Sequence, residues 1–76
     1  MITQNSYHAA YAKIKGVKLG VISMSPNGSA DIELKIAEDE YADLIDEYNR
    51  GDKVDVRTFT SELRFITNII RCRKRA

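Results

Sequence analysis

The chain carries one imidazole, His8, and one thiol, Cys72, near its opposite ends. Neither has the company that catalysis needs. A hydrolytic triad takes a nucleophile, a base and an orienting group, and no G-x-S-x-G elbow surrounds any serine. One histidine and one distant cysteine do not make a zinc site, which takes four ligands from clustered pairs. The glycines, Gly16, Gly20, Gly28 and Gly51, are scattered, so no phosphate-cradling loop exists. Carboxylates are dense between Glu38 and Glu47, but their spacing predicts the solvent side of a helix, where nothing raises a pKa for acid catalysis. Cys72 lies between Arg71 and Arg73, next to Lys74 and Arg75. Positive neighbours ease thiolate formation, and the plainer reading is an incidental thiol near a terminus. His8 reads as an edge-strand side chain or as a proton carrier. The expectation is a protein that is not an enzyme and takes no cofactor and no metal.

Two groups of residues could bind instead. The net charge of +1 conceals three blocks. Residues 1–30 hold three lysines and no acid, residues 31–55 hold ten acids against three bases, and residues 56–76 hold six bases against Glu62 alone. In the middle block Glu38, Asp39, Glu40, Asp43, Asp46 and Glu47 fall on one segment, with Asp31 and Glu33 just before it. Such a surface repels nucleic acid and can dock on a basic protein surface, including one that grips nucleic acid. The plainer reading is a solvated face. In the last block Arg71, Arg73, Lys74 and Arg75 follow Arg57 and Arg64, and Lys13, Lys15 and Lys18 could join them if the terminal element pairs with the first. Bases of this kind neutralise phosphates. Tyr7 and Tyr11, four apart on an extended segment, would share a face and could stack on unpaired bases. The plainer reading is a solvated tail and two packed tyrosines.

The elements that must carry these groups follow from periodicity. Residues 7–24 read as extended, with the apolar phase shifting at Gly16 as at a bulge and Gly20 as a second weak point. Ser25-Pro26-Asn27-Gly28-Ser29 is a turn. Residues 30–36 alternate apolar and charged as a half-buried strand, which makes a hairpin with the segment before it. Residues 38–50 are an amphipathic helix: Tyr41, Leu44, Ile45 and Tyr48 form one stripe, acids crowd the first turn, and Gly51 is placed for the cap beyond the last turn. Residues 53–59 alternate as a strand. Leu63, Ile66, Ile69 and Ile70 fit either a helix opened by Ser61 or, by their β-branched character, a strand, and the strand is favoured.

The fold class expected is α+β: a small antiparallel sheet of three to five strands, or an OB-like barrel, with one helix over 38–50. At 76 residues the chain has room for one domain with a thin core, its ends at 1–6 and 73–76 loose. With 43% hydrophobic and 30% charged residues it is too apolar for disorder. No apolar run approaches the length of a membrane span, the first residues lack a secretory pattern, and a lone cysteine forms no internal disulfide. Those features point to a cytoplasmic protein without membrane contact. An exposed sheet edge would leave a homodimer open.

The blocks Lys13-Ile14-Lys15-Gly16-Val17, Asn27-Gly28-Ser29-Ala30-Asp31-Ile32-Glu33-Leu34, Glu40-Tyr41-Ala42-Asp43-Leu44-Ile45 and Gly51-Asp52-Lys53-Val54-Asp55-Val56 resemble the small accessory proteins of phages and prophages in their sequence style, over residues 13–56. The resemblance implies a mobile-element protein of the host-cell cytoplasm that acts by binding, sometimes by blocking a host protein. It carries no defined functional residues. The leading expectation is a non-catalytic accessory protein that meets an unidentified protein partner through the acidic helix. The alternative is a single-strand nucleic-acid binder that uses Tyr7, Tyr11, Lys13, Lys15, Arg64, Arg71, Arg73, Lys74 and Arg75.

Overall fold

The computed structural model describes residues 1–75 and, of Arg75, the backbone. The elements run β1 (Ile2–Thr3), α1 (Ser6–Ile14), β2 (Leu19–Met24), β3 (Ala30–Leu34), α2 (Glu38–Asn49) and α3 (Val56–Arg75). The sheet is antiparallel and open, in the order β1-β3-β2. The α+β class is as expected. The barrel is not: three strands with two free edges leave nothing to close.

Residues 7–14 are helical rather than extended. Asn5 begins the helix with its side-chain oxygen, which accepts from Tyr7 N–H at 2.9 Å and His8 N–H at 3.1 Å. Ala9, Ala10 and Ala12 favour the helix intrinsically. Gly16, at φ 94°, ends it as a left-handed cap: its N–H bonds Lys13 C=O, and Val17 N–H bonds Ala12 C=O. The phase shift at Gly16 is therefore a helix end. The bulge lies at the second weak point, where the pairing skips a residue between Leu19 and Ile22. The Glu33 carboxylate accepts the Val21 N–H there at 3.0 Å.

The 25–29 turn, the hairpin and the acidic helix fall where the sequence places them, and α2 ends in the same cap geometry at Gly51. The segment read as a strand at 53–59 is instead a short loop followed by α3. Asp55 caps the new helix by accepting Thr58 N–H at 2.9 Å, and the helix runs through the terminal segment for which a strand was favoured. Burial settles the choice. Phe59, Leu63, Ile66 and Ile70 recur at helical spacing on the inward face, while Val56 is 76% exposed.

One face of the sheet is the core wall. Ala30, Ile32 and Leu34 of β3 are buried against Ala9, Ala10 and Ala12 of α1 and Ile66 of α3. Alanines on α1 let it pack at once against β1, β3, α2 and α3. It meets α2 through His8 and Tyr11 and α3 through Tyr7 and Lys13, so the acidic and basic elements stand on different sides of it.

Candidate functional site

α2 carries six acids and no base, and none of its residues is fully buried. Its inward stripe of Tyr41, Leu44, Ile45 and Tyr48 is half-buried against α1. Aromatic edges make the contact. His8 meets Tyr48 edge-on at 5.1 Å between ring centres, and Tyr11 meets Tyr48 at 5.4 Å. Polar tips then fix both ends of the helix. Tyr41 O–H donates to Thr3 Oγ1 at 3.0 Å, and its oxygen lies within hydrogen-bond reach of His8 Nδ1 at 3.2 Å. At the other end Tyr11 O–H donates to Asp52 Oδ2 at 2.6 Å, with Glu47 Oε2 at 3.2 Å, and Lys15 Nζ pairs with Asp52 at 2.7 Å. α2 is thus held rigidly, with its charged side outward.

Glu38, Asp39, Glu40, Asp43 and Asp46 are exposed; helical spacing places Asp39, Glu40, Asp43 and Asp46 on that outward side, with Glu38 at the start of the helix. Among the described residues none of them forms a salt bridge. Glu47 differs, because Tyr11 and Lys15 draw its carboxylate toward α1. Glu38, Asp39 and Glu40 gain from the N-terminal dipole, which falls off within a turn. Asp43 and Asp46 lie beyond it. Asp39–Asp43, Asp43–Asp46 and Asp43–Glu47 are like charges at helical-neighbour spacing, each an unfavourable term for folding.

The residues named for nucleic-acid binding do not form one groove. Tyr11 is 1% exposed and cannot stack on a base. Tyr7 is exposed but stacks on Phe59, with centroids 6.4 Å apart. Lys13 pairs with Glu62 at 2.6 Å and lies over the Phe65 ring at 3.9 Å. Lys15 is committed to Asp52. Arg64 and Arg71 instead share a shallow groove on α3 with Thr60, Thr67 and Asn68. Arg73 lies by Leu19, Val21, Phe65 and Ile69, between α3 and the edge strand β2. Lys74 is exposed in the last turn, and the Arg75 side chain lies outside the described residues. Cys72 is an exposed thiol on α3. Asp52, Thr3 and Glu62, which organise the surface, were not singled out from the sequence. Asp52, directly after the capping Gly51, was the findable one.

His8 is a helix side chain, not an edge-strand one. Burial beside Tyr41 and Tyr48 lowers its pKa below 6.5. The unfolded chain therefore binds its proton more readily than the folded one. Folding stability from this group is full above about pH 6.5 and is lost as pH falls through the lower folded value. An NMR titration should place the His8 midpoint below 6.5; a midpoint at or above 6.5 would contradict the packing.

No helix among the described residues is long and apolar enough to cross a membrane, and no cluster of three or more metal-capable side chains occurs among them. No protein-family model matches the chain, and comparison with curated proteins and with solved structures returns no significant match.

Proposed function

We propose that this chain is a non-catalytic accessory module, of the phage type its sequence resembles, that docks a basic surface of a partner protein through the outward side of α2. The observation that supports this reading is the unneutralised charge on a rigid helix: five exposed carboxylates without a salt bridge among the described residues. Folding accounts for the first three, which the helix dipole favours, but not for Asp43 and Asp46, where mixed charges would stabilise the helix better. A basic patch on a partner accounts for them, because complementary fields steer encounter and reject acidic competitors. Proteins that grip nucleic acid expose patches of this sort, so a host nucleic-acid-handling or defence protein is the class of partner proposed.

Asp43→Lys/Asp46→Lys separates the two roles of the helix. The new lysines sit near Asp39, Glu40 and Glu47, so thermal stability should stay level or rise by a few tenths of a kcal/mol per pair. Salt-sensitive capture of a partner from host extract by the tagged parent protein should disappear. Retention of the same partner by the folded double variant would overturn the reading.

A further inference from the structure

α3 arranges a second surface. The helix buries Phe59, Leu63, Ile66 and Ile70, so its opposite side is set by the residues out of phase with them. Arg57, Arg64 and Arg71 recur every seventh residue and fall together at the centre of that outward side. All three are exposed. Thr60, Arg64, Thr67, Asn68 and Arg71, with Leu63 at the inner side, line one shallow groove along it, and Lys74 is exposed at its edge, a turn beyond Arg71. At a rise of about 1.5 Å per residue, Arg57 to Lys74 spans roughly 25 Å. The only acid within α3, Glu62, is turned to Lys13 and away from the stripe. Asp55, just before the helix, is occupied in capping it through Thr58.

We infer that this outward side of α3 binds the phosphate backbone of double-stranded nucleic acid. Arginines spaced along one helix, with Thr60 and Asn68 as donors between them and Thr67 turned to the Arg64 carbonyl, match a backbone of regularly placed phosphates. A helix of this width also fits the duplex major groove. The single strand, the alternative partner raised by the sequence, is the poorer occupant, because it is held by base stacking on exposed aromatics. None lies on the stripe: Phe65, 49% exposed with Lys13 over one face of its ring, sits on the flank, Tyr7 is stacked on Phe59, and Tyr11 is buried. The acidic α2, on a different side of α1, would orient the module by turning away from the phosphates. The surface is separate from the α2 face and does not depend on its role.

Fluorescence anisotropy with a labelled duplex of about 20 base pairs, and with one of its strands alone, tests the inference over about 50 to 200 mM salt. The parent protein should bind the duplex more tightly than the strand. Four phosphate contacts predict a slope of log affinity on log salt of about −3.6. Arg64→Gln/Arg71→Gln, exposed changes that circular dichroism should show to leave the helix intact, should make that slope shallower by about two and cost about tenfold or more at the lowest salt. Lys18→Gln/Lys35→Gln removes the same charge elsewhere on the surface and should leave both quantities near the parent's. The inference is overturned by absence of duplex binding at about 50 mM salt, by preference for the single strand, or by equal losses in the two double variants.

Discussion

Ile66→Ala should cost about 2–5 kcal/mol, which approaches the whole stability of a domain this small. Ile66 is 0% exposed and, among the described residues of α3, is the one side chain wholly inside the core, set among Ala9, Ala10 and Ala12 of α1 and Ile22, Ile32 and Leu34 of the sheet. Its neighbours on α1 are alanines, which have no rotamers with which to fill a void. The cavity should therefore persist, and the loss should lie toward the upper part of the range. At about 4–8 °C per kcal/mol, the melting temperature should fall by 10 °C or more, to roughly 40 °C at most. Val56→Ala on the same helix, at a side chain 76% exposed, should change stability by less than about 0.5 kcal/mol. Urea denaturation of both variants checks the contrast. If they lost similar amounts, α3 would not be packed through the face described, and the outward stripe of arginines would lose its basis as well.

What was legible in the sequence follows from how local each signal is. The Asn27-Gly28 turn, the alternation of Ile32 and Leu34 with Asp31 and Glu33, and the stripe of Tyr41, Leu44, Ile45 and Tyr48 each lie within a dozen residues and are read without knowing the rest of the fold. The acidic face was legible for the same reason. α1 was not. Its core-facing residues are small, and alanines give a hydrophobic pattern so little amplitude that the intervening Tyr11, Lys13 and Lys15 imitate strand alternation. The brackets were there, Asn5 before the segment and Gly16 after it, but Gly16 fits a bulge as well as a cap. α3 failed differently. Ile66, Ile69 and Ile70 favour strands, and only packing against α1 and β2 overrides that preference. The seven-residue spacing of Arg57, Arg64 and Arg71 was visible all along, yet it defines a surface only once the segment is known to be helical.

Tyr11 shows why burial cannot be read from residue type, and it carries the last expected result. Tyr11→Phe keeps the buried ring and removes the hydroxyl that reaches Asp52 and Glu47, which should cost about 1–3 kcal/mol at neutral pH. Asp52 retains Lys15, so the variant should still fold. The pH dependence is diagnostic. Lys15, followed by Tyr11, holds the Asp52 carboxyl below its ordinary 3.8, so the stability it contributes is present above pH 3.8 and is lost as pH falls through the folded value. Burial, followed by the two carboxylates, holds the Tyr11 hydroxyl well above its ordinary 10.0. The protonated form is thus favoured by folding, and that stability is complete below pH 10.0 and is lost as the unfolded chain ionises above it. The parent should therefore exceed Tyr11→Phe by its widest margin between these limits, with the gap narrowing at both ends. Denaturant titrations of the two proteins at about pH 3, 7 and 11 measure this directly, because ionisations common to both cancel in the difference. A gap of equal size at all three values would mean that the hydroxyl is not bound to the carboxylates, and α2 would then be free of the anchor that aims its acidic side outward.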